Sequence, residues 1–138
     1  MSLTGTISGS EIKAYGDYLW KAEALPNNTN KTSEAFLLGK AQNAIDLVVE
    51  ANTNISIADS KQLKLEILAG ETEDGDFESV ATIYDRTASG TPITFTAGDE
   101  IARYTIPSNV GPYIKIKATT TADESSEKIT VYPAFKAR

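Results

Sequence analysis

The stretch "AGETEDGDFESV", residues 69–80, puts five acids into eight positions: Glu71, Glu73, Asp74, Asp76 and Glu78, around Gly75. Carboxylates gathered in a loop are what calcium uses, through oxygen ligands in a flexible geometry. A weak calcium site would draw on Glu73, Asp74 and Asp76. Two carboxylates at a fixed separation could also serve as the acid and base of a glycoside hydrolase, but a linear sequence fixes no such separation. The EF-hand spacing D-x-[DN]-x-[DN]-G with a distant Glu is absent. Asp74-Gly75 is a preferred hairpin turn, because glycine readily takes the positive φ that such turns require. The stretch therefore reads as a solvated hairpin or loop between two strands, with Phe77 turned inward.

The remaining chemistry is sparse. The chain has no histidine, which removes the usual general base, the Ser-His-Asp arrangement and the commonest transition-metal ligand. It has no cysteine, which removes disulfides, thiolate zinc sites and iron–sulfur clusters and leaves the redox compartment open. "LLGKAQ", residues 37–42, carries a Gly-Lys pair but lacks the earlier glycine and the following hydroxyl of a phosphate-binding loop. Asn30-Lys31-Thr32 completes a glycosylation triplet that reads as coincidence without a signal peptide. No catalytic residue and no cofactor follows from these residues, and the chain is not expected to be an enzyme.

Elements that would position any site come from patterning. At 138 residues one domain with one core is expected. The net charge of −6 and the scattered basic residues disfavour nucleic acid as a partner. "MSLTGTISGS" has no basic start followed by an apolar run, and no window approaches the roughly 20 apolar residues of a membrane helix. A soluble protein made in a cytoplasm is expected.

From residue 55 the apolar residues alternate: Ile55 and Ile57, then Leu63, Leu65 and Ile67, with polar residues between. This period of two is that of strands with one buried face. Residues 79–84, 91–95, 101–106, 113–118 and 128–135 repeat it, rich in β-branched and aromatic types. Gly, Pro, Asn and Asp punctuate the runs, as at Ser89-Gly90-Thr91-Pro92 and Ala97-Gly98-Asp99. Short strands with frequent turns imply an all-β sandwich or barrel. Residues 34–53 are ambiguous between helix and strands, and Val48-Val49 favours strand. Residues 26–34 read as an exposed, mobile loop.

Residues 8–25 permit two readings. Ser8 with Glu11 as a capping box, Ile12, Tyr15 and Leu19 on one face, and Pro26 as a stop allow a short helix. The alternative is an extended arm lying on a neighbouring subunit. Tyr15, Tyr18, Leu19 and Trp20 are the candidate partner contacts, since large amphipathic rings serve interfaces as well as cores. Core packing and a sugar-stacking platform are the competing uses. In "YIKIK" Tyr113, Lys115 and Lys117 share the face opposite Ile114 and Ile116, so the lysines guard a solvent-facing strand or meet an acidic neighbour.

Taken as a set, "AIDLVVEANTNISIADSKQLKLEIL", "EDGDFESVATI", "TFTAGDEIARYTIPSNVGPYIKIKATTT" and "ITVYPAF" resemble the capsid cement proteins of tailed phages, notably the jelly-roll cement protein family of a Bordetella phage. The likeness covers residues 44–135 and is carried by Ala97-Gly98 before a strand ending at Ile106-Pro107, then a short turn and an aromatic-led strand at Tyr113–Lys117. The resemblance implies a jelly-roll-like antiparallel β-sandwich with an N-terminal arm or short helix. Residues 1–33 would be that arm and loop, and 34–138 the sandwich domain. It further implies a structural virion protein on the capsid exterior, a homo-oligomer (dimer or trimer) bound to the major capsid protein, with no nucleic acid, membrane or cofactor. The alternative is a carbohydrate- or ligand-binding β-sandwich module of a tail fibre or secreted enzyme.

Overall fold

Strict alternation produces the two central strands of one sheet. In Gln62–Gly70, Leu63, Leu65 and Ile67 are fully buried while the residues between them are half-exposed, and in Tyr113–Thr120 Ile114, Ile116 and Ala118 do the same. The structure is a computed structural model that describes residues 11–13, 18–38, 45–107 and 110–136. Among these no residue is helical, and the chain is all-β. The strands are β1 (Glu11–Lys13), β2 (Trp20–Ala24), β3 (Asn30–Thr32), β4 (Phe36–Leu37), β5 (Ile45–Ala51) and β6 (Ile55–Ile57). They continue with β7 (Gln62–Gly70), β8 (Phe77–Thr87), β9 (Ile93–Phe95), β10 (Glu100–Thr105), β11 (Tyr113–Thr120) and β12 (Lys128–Lys136).

Every pairing is antiparallel, and together the pairings form one long hairpin. Its tip is β7–β8; moving outward, β5 pairs with β10, β3 and β4 with β11, and β1 and β2 with β12. Cross-pairs β12–β5 and β11–β7 then roll that hairpin into two sheets, β1/β2-β12-β5-β10 and β3/β4-β11-β7-β8. This is the winding of a jelly roll, and β6–β9 adds a short ladder beside it. Leu47, Val49, Ile129 and Val131 of the first sheet meet Leu63, Leu65, Ile67, Ile114 and Ile116 of the second, all at 0% exposure. The sandwich core lies between these rows.

Strand β5 departs from alternation because both its faces are covered. Val48 is buried on the side away from the core, where it clusters with Tyr132 and Ala134 and receives Tyr18. Asp46 shares that face and is only 2% exposed, held by Arg103 (3.0 Å) and the Thr105 hydroxyl (2.7 Å).

The first third differs from its expectation. Among the described residues of 8–25 no helix is found: Glu11–Lys13 and Trp20–Ala24 are strands on β12. Nor does the sandwich begin at residue 34. β2 and β3 are integral to the two sheets, and Leu25 is 1% exposed. Edge pairing of both strands with β12 satisfies the backbone, and Leu19 and Trp20 are buried together. In residues 26–34, Asn27–Asn30 are exposed as expected, but the stretch continues into β3 and the buried Ser33. Ser33 repairs the gap between β3 and β4, its hydroxyl accepting the Ile116 N–H at 3.0 Å.

The acidic connection is a six-residue loop, Glu71–Asp76, exposed throughout, and not a two-residue turn. Among the described glycines positive φ falls at Gly90 and Gly98, not at Gly75. Phe77 turns outward: it lies half-buried on the outer face under the Lys115 ammonium, 4.2 Å from the ring centroid. The bare Gly70 beside it leaves the ring its place, since a Cβ there would come within 3.1 Å of two ring atoms.

Candidate interaction surface

Both sheets end on the same side of the roll, with β2 outermost beyond β12 and β3–β4 outermost beyond β11. Unpaired strand edges invite association unless something blocks them. Lys31 is such a device. It lies opposite the buried Ala118 and so points inward, reaching across the gap between sheets to Glu23 Oε2 (3.0 Å) and the Ala24 carbonyl (2.8 Å).

Around this clasp opens a groove of about 780 Å³. Its walls carry Tyr18, Lys21, Glu23, Lys31, Glu34 and Leu37, so acids and bases alternate with apolar surface. Leu37, 58% exposed, is the most exposed large apolar side chain among the described residues. The Tyr18 ring stands edge-on to Tyr132, with centroids 6.1 Å apart, and the Lys21 ammonium lies 5.5 Å from its centroid.

The candidate partner contacts divide. Tyr18 is half-buried at the groove, whereas Leu19 and Trp20, at 9% and 8% exposure, belong to the core cluster and form the groove's floor. As anchors for a partner, Leu19 and Trp20 are corrected: the subunit already uses them for its own packing. Tyr15 lies outside the described residues. Leu37 and Lys31 carry no local signal of these roles, because neither the break between β3 and β4 nor the approach of β2 is local.

Glu73, Asp74 and Asp76 remain spread along an exposed loop, and among the described residues no group of three acids converges to hold a metal ion. On β11, Lys115 and Lys117 occupy the outer face as expected, with Glu66 opposite Lys117 on β7. Sequence reading also passed over Glu124 and Glu127, in the polar run after β11. Glu124 is 6% exposed. Its carboxyl is pushed up to about 8, by burial first and then by the hydrogen bond with Glu127 and the charges of Glu127 and Asp123.

Comparison with protein-family models, with curated proteins and with solved structures finds no match to this chain. Among the described residues no helix is long and apolar enough to cross a membrane.

Proposed function

We propose that this chain is a structural virion protein, a decoration or cement subunit that binds the major capsid protein on the exterior of a tailed-phage head. The observation that carries the reading is the groove between the two free sheet edges, with Leu37 and Tyr18 presented among mixed charges. Such a mixture suits a protein neighbour: apolar groups supply the area, and alternating charge fixes the register of docking. The jelly-roll winding agrees with what the family resemblance implies.

Its mechanism is contact. Burying Leu37 against a neighbour contributes about 1 to 2 kcal/mol, which is weak alone. A dimer or trimer presenting the same patch several times to a repeating shell gains avidity because each further contact is intramolecular. The buried polar side chains serve the strands: Asp46 joins β5 to β10, Ser33 joins the β3–β4 gap to β11, and Thr120 holds the Pro26 carbonyl.

The test is loading of the full chain onto phage heads, read by co-sedimentation and by mass spectrometry of purified particles. Leu37→Asp should reduce loading at least tenfold with an unchanged far-UV circular-dichroism spectrum. Full loading by that variant removes the groove from the reading, and absence of the native chain from particles removes the decoration role. The carbohydrate-binding alternative loses its platform, because Trp20 turns into the core.

A further inference from the structure

The turn between β11 and β12 holds one buried and one half-buried carboxyl group side by side. Glu124 is 6% exposed, and Glu127 Oε1 is buried with no hydrogen-bond partner other than the neighbouring Glu124 carboxyl. The other oxygen, Glu127 Oε2, accepts the Ser56 N–H at 2.7 Å. Around the pair three turns are tied together. Glu124 N–H donates to the Pro26 carbonyl (3.2 Å) and Leu25 N–H to the Glu127 carbonyl (2.9 Å), joining the β2–β3 turn. Asn52 N–H donates to the Lys128 carbonyl (2.9 Å) and Lys128 N–H to the Thr53 hydroxyl (3.0 Å), joining the β5–β6 turn.

Two ionised carboxylates side by side and partly shielded from water repel, and a single retained proton removes the conflict. The geometry says which group keeps it. Glu127 Oε2 already accepts the Ser56 N–H, while the more buried Glu124 can donate to the otherwise unpartnered Glu127 Oε1. Among the described residues no salt bridge relieves the pair. The β2–β3 turn, Leu25–Thr29, and the β5–β6 turn, Asn52–Asn54, carry no charge, and the contact from β7 is the neutral Gln62. Asp123 adds a further negative charge. Lys61 and Lys128, whose backbone lies at these turns, form no salt bridge to either acid among the described residues.

We infer that Glu124 and Glu127 form a proton-sharing carboxyl–carboxylate pair that helps to fasten the β2–β3, β5–β6 and β11–β12 turns and whose hold weakens progressively as pH rises. This device is independent of what occupies the groove. The sign of its effect on stability is fixed. The folded chain keeps a proton that the unfolded chain has released above about pH 4.5, so the extra stability is fully present below that and is lost as pH rises to about 8.

The experiment is a carbon-13 titration of the glutamate side chains in the full-length protein from pH 4 to 10, with urea midpoints for the native chain, Glu124→Gln and Glu127→Gln. One glutamate should titrate more than two pH units above the rest. That transition should vanish in Glu124→Gln, whose amide N–H still donates to Glu127, and move down in Glu127→Gln. The native urea midpoint should fall between pH 5 and 9, and that of Glu124→Gln should fall less. If every glutamate titrates below pH 6, or if Glu124→Gln keeps the native pH slope, the pair does not share a proton. Should Glu124→Gln fail to fold, the native titration alone decides.

Discussion

Arg103 on β10 reaches Asp46 on β5 with Nη1 3.0 Å from Oδ2, and the two partners see very different amounts of water: the Arg103 side chain is 32% exposed and that of Asp46 2%. The arginine also holds Glu100 through Nε and Nη2, at 3.1 and 2.9 Å. Removing it would leave a buried carboxylate with less compensation, which is where ion pairs matter most. Arg103→Ala should therefore cost on the order of 3 kcal/mol, read as a urea midpoint. A loss below about 1 kcal/mol would mean that water reaches Asp46 freely.

Lys31 and Glu23 stand at the same 3.0 Å, yet their side chains are 34% and 41% exposed. Solvent screens such a pair, and exposed pairs contribute less than about 1 kcal/mol. Glu23→Gln should change stability by less than that. Its effect belongs to association: with the clasp weakened, self-association measured by sedimentation velocity should increase, and a strictly monomeric variant at high concentration would contradict the edge-blocking role of Lys31.

Trp20 distinguishes a core residue from a partner anchor. At 8% exposure among Leu19, Leu25 and Val131, its truncation to alanine should cost about 3 kcal/mol or more of stability. Deleting residues 1–25 removes all of β2, so the remainder should lose its cooperative thermal transition. A truncated chain that melts as the full one does would return β2 to the role of a detachable arm.

Gly111 approaches β7 closely. A Cβ there would lie 2.7 Å from the Gly70 carbonyl oxygen, a backbone atom that cannot swing aside. Gly111→Ala should cost about 1 to 3 kcal/mol through forced displacement, and a melting temperature equal to the native one would show that the turn simply relaxes.

Tyr84 buries its hydroxyl without a hydrogen-bond partner while its ring meets Phe95 edge-on at 6.0 Å. Burial pushes the phenol up, and the charge of Arg86 and its close approach to the hydroxyl, short of a well-formed hydrogen bond, offset part of that. Tyr84→Phe keeps the ring contact and removes the unsatisfied group, so stability should be unchanged or rise by up to about 1 kcal/mol. A clear loss in the urea midpoint would reveal a bond to that hydroxyl.

Much of the architecture was legible because alternation is a local signal. Leu63, Leu65 and Ile67 against Lys64 and Glu66 reveal a one-sided strand without any knowledge of its partner, and Ile114 and Ile116 against Lys115 and Lys117 do likewise. Where both faces are covered the signal disappears, as in β5, whose Asp46 and Val48 are buried opposite Leu47 and Val49. Phe77 was misplaced for a related reason: an aromatic ring prefers cover, but only the approach of Lys115 shows that the cover lies on the outer face.

The sequence by itself determined that this protein is all-β, with a core made from alternating aliphatic rows and turns set by Gly, Pro, Asn and Asp, since period and turn chemistry act over a few neighbouring residues. Only the tertiary structure decided that Trp20 is core, that Lys31 bridges the sheets, that Leu37 faces a groove and that Glu124 meets Glu127 beside Pro26 and Ser56. Those relationships join residues distant in the chain, and burial, which sets the strength of a charge or the fate of a ring, exists only once the long hairpin has rolled up.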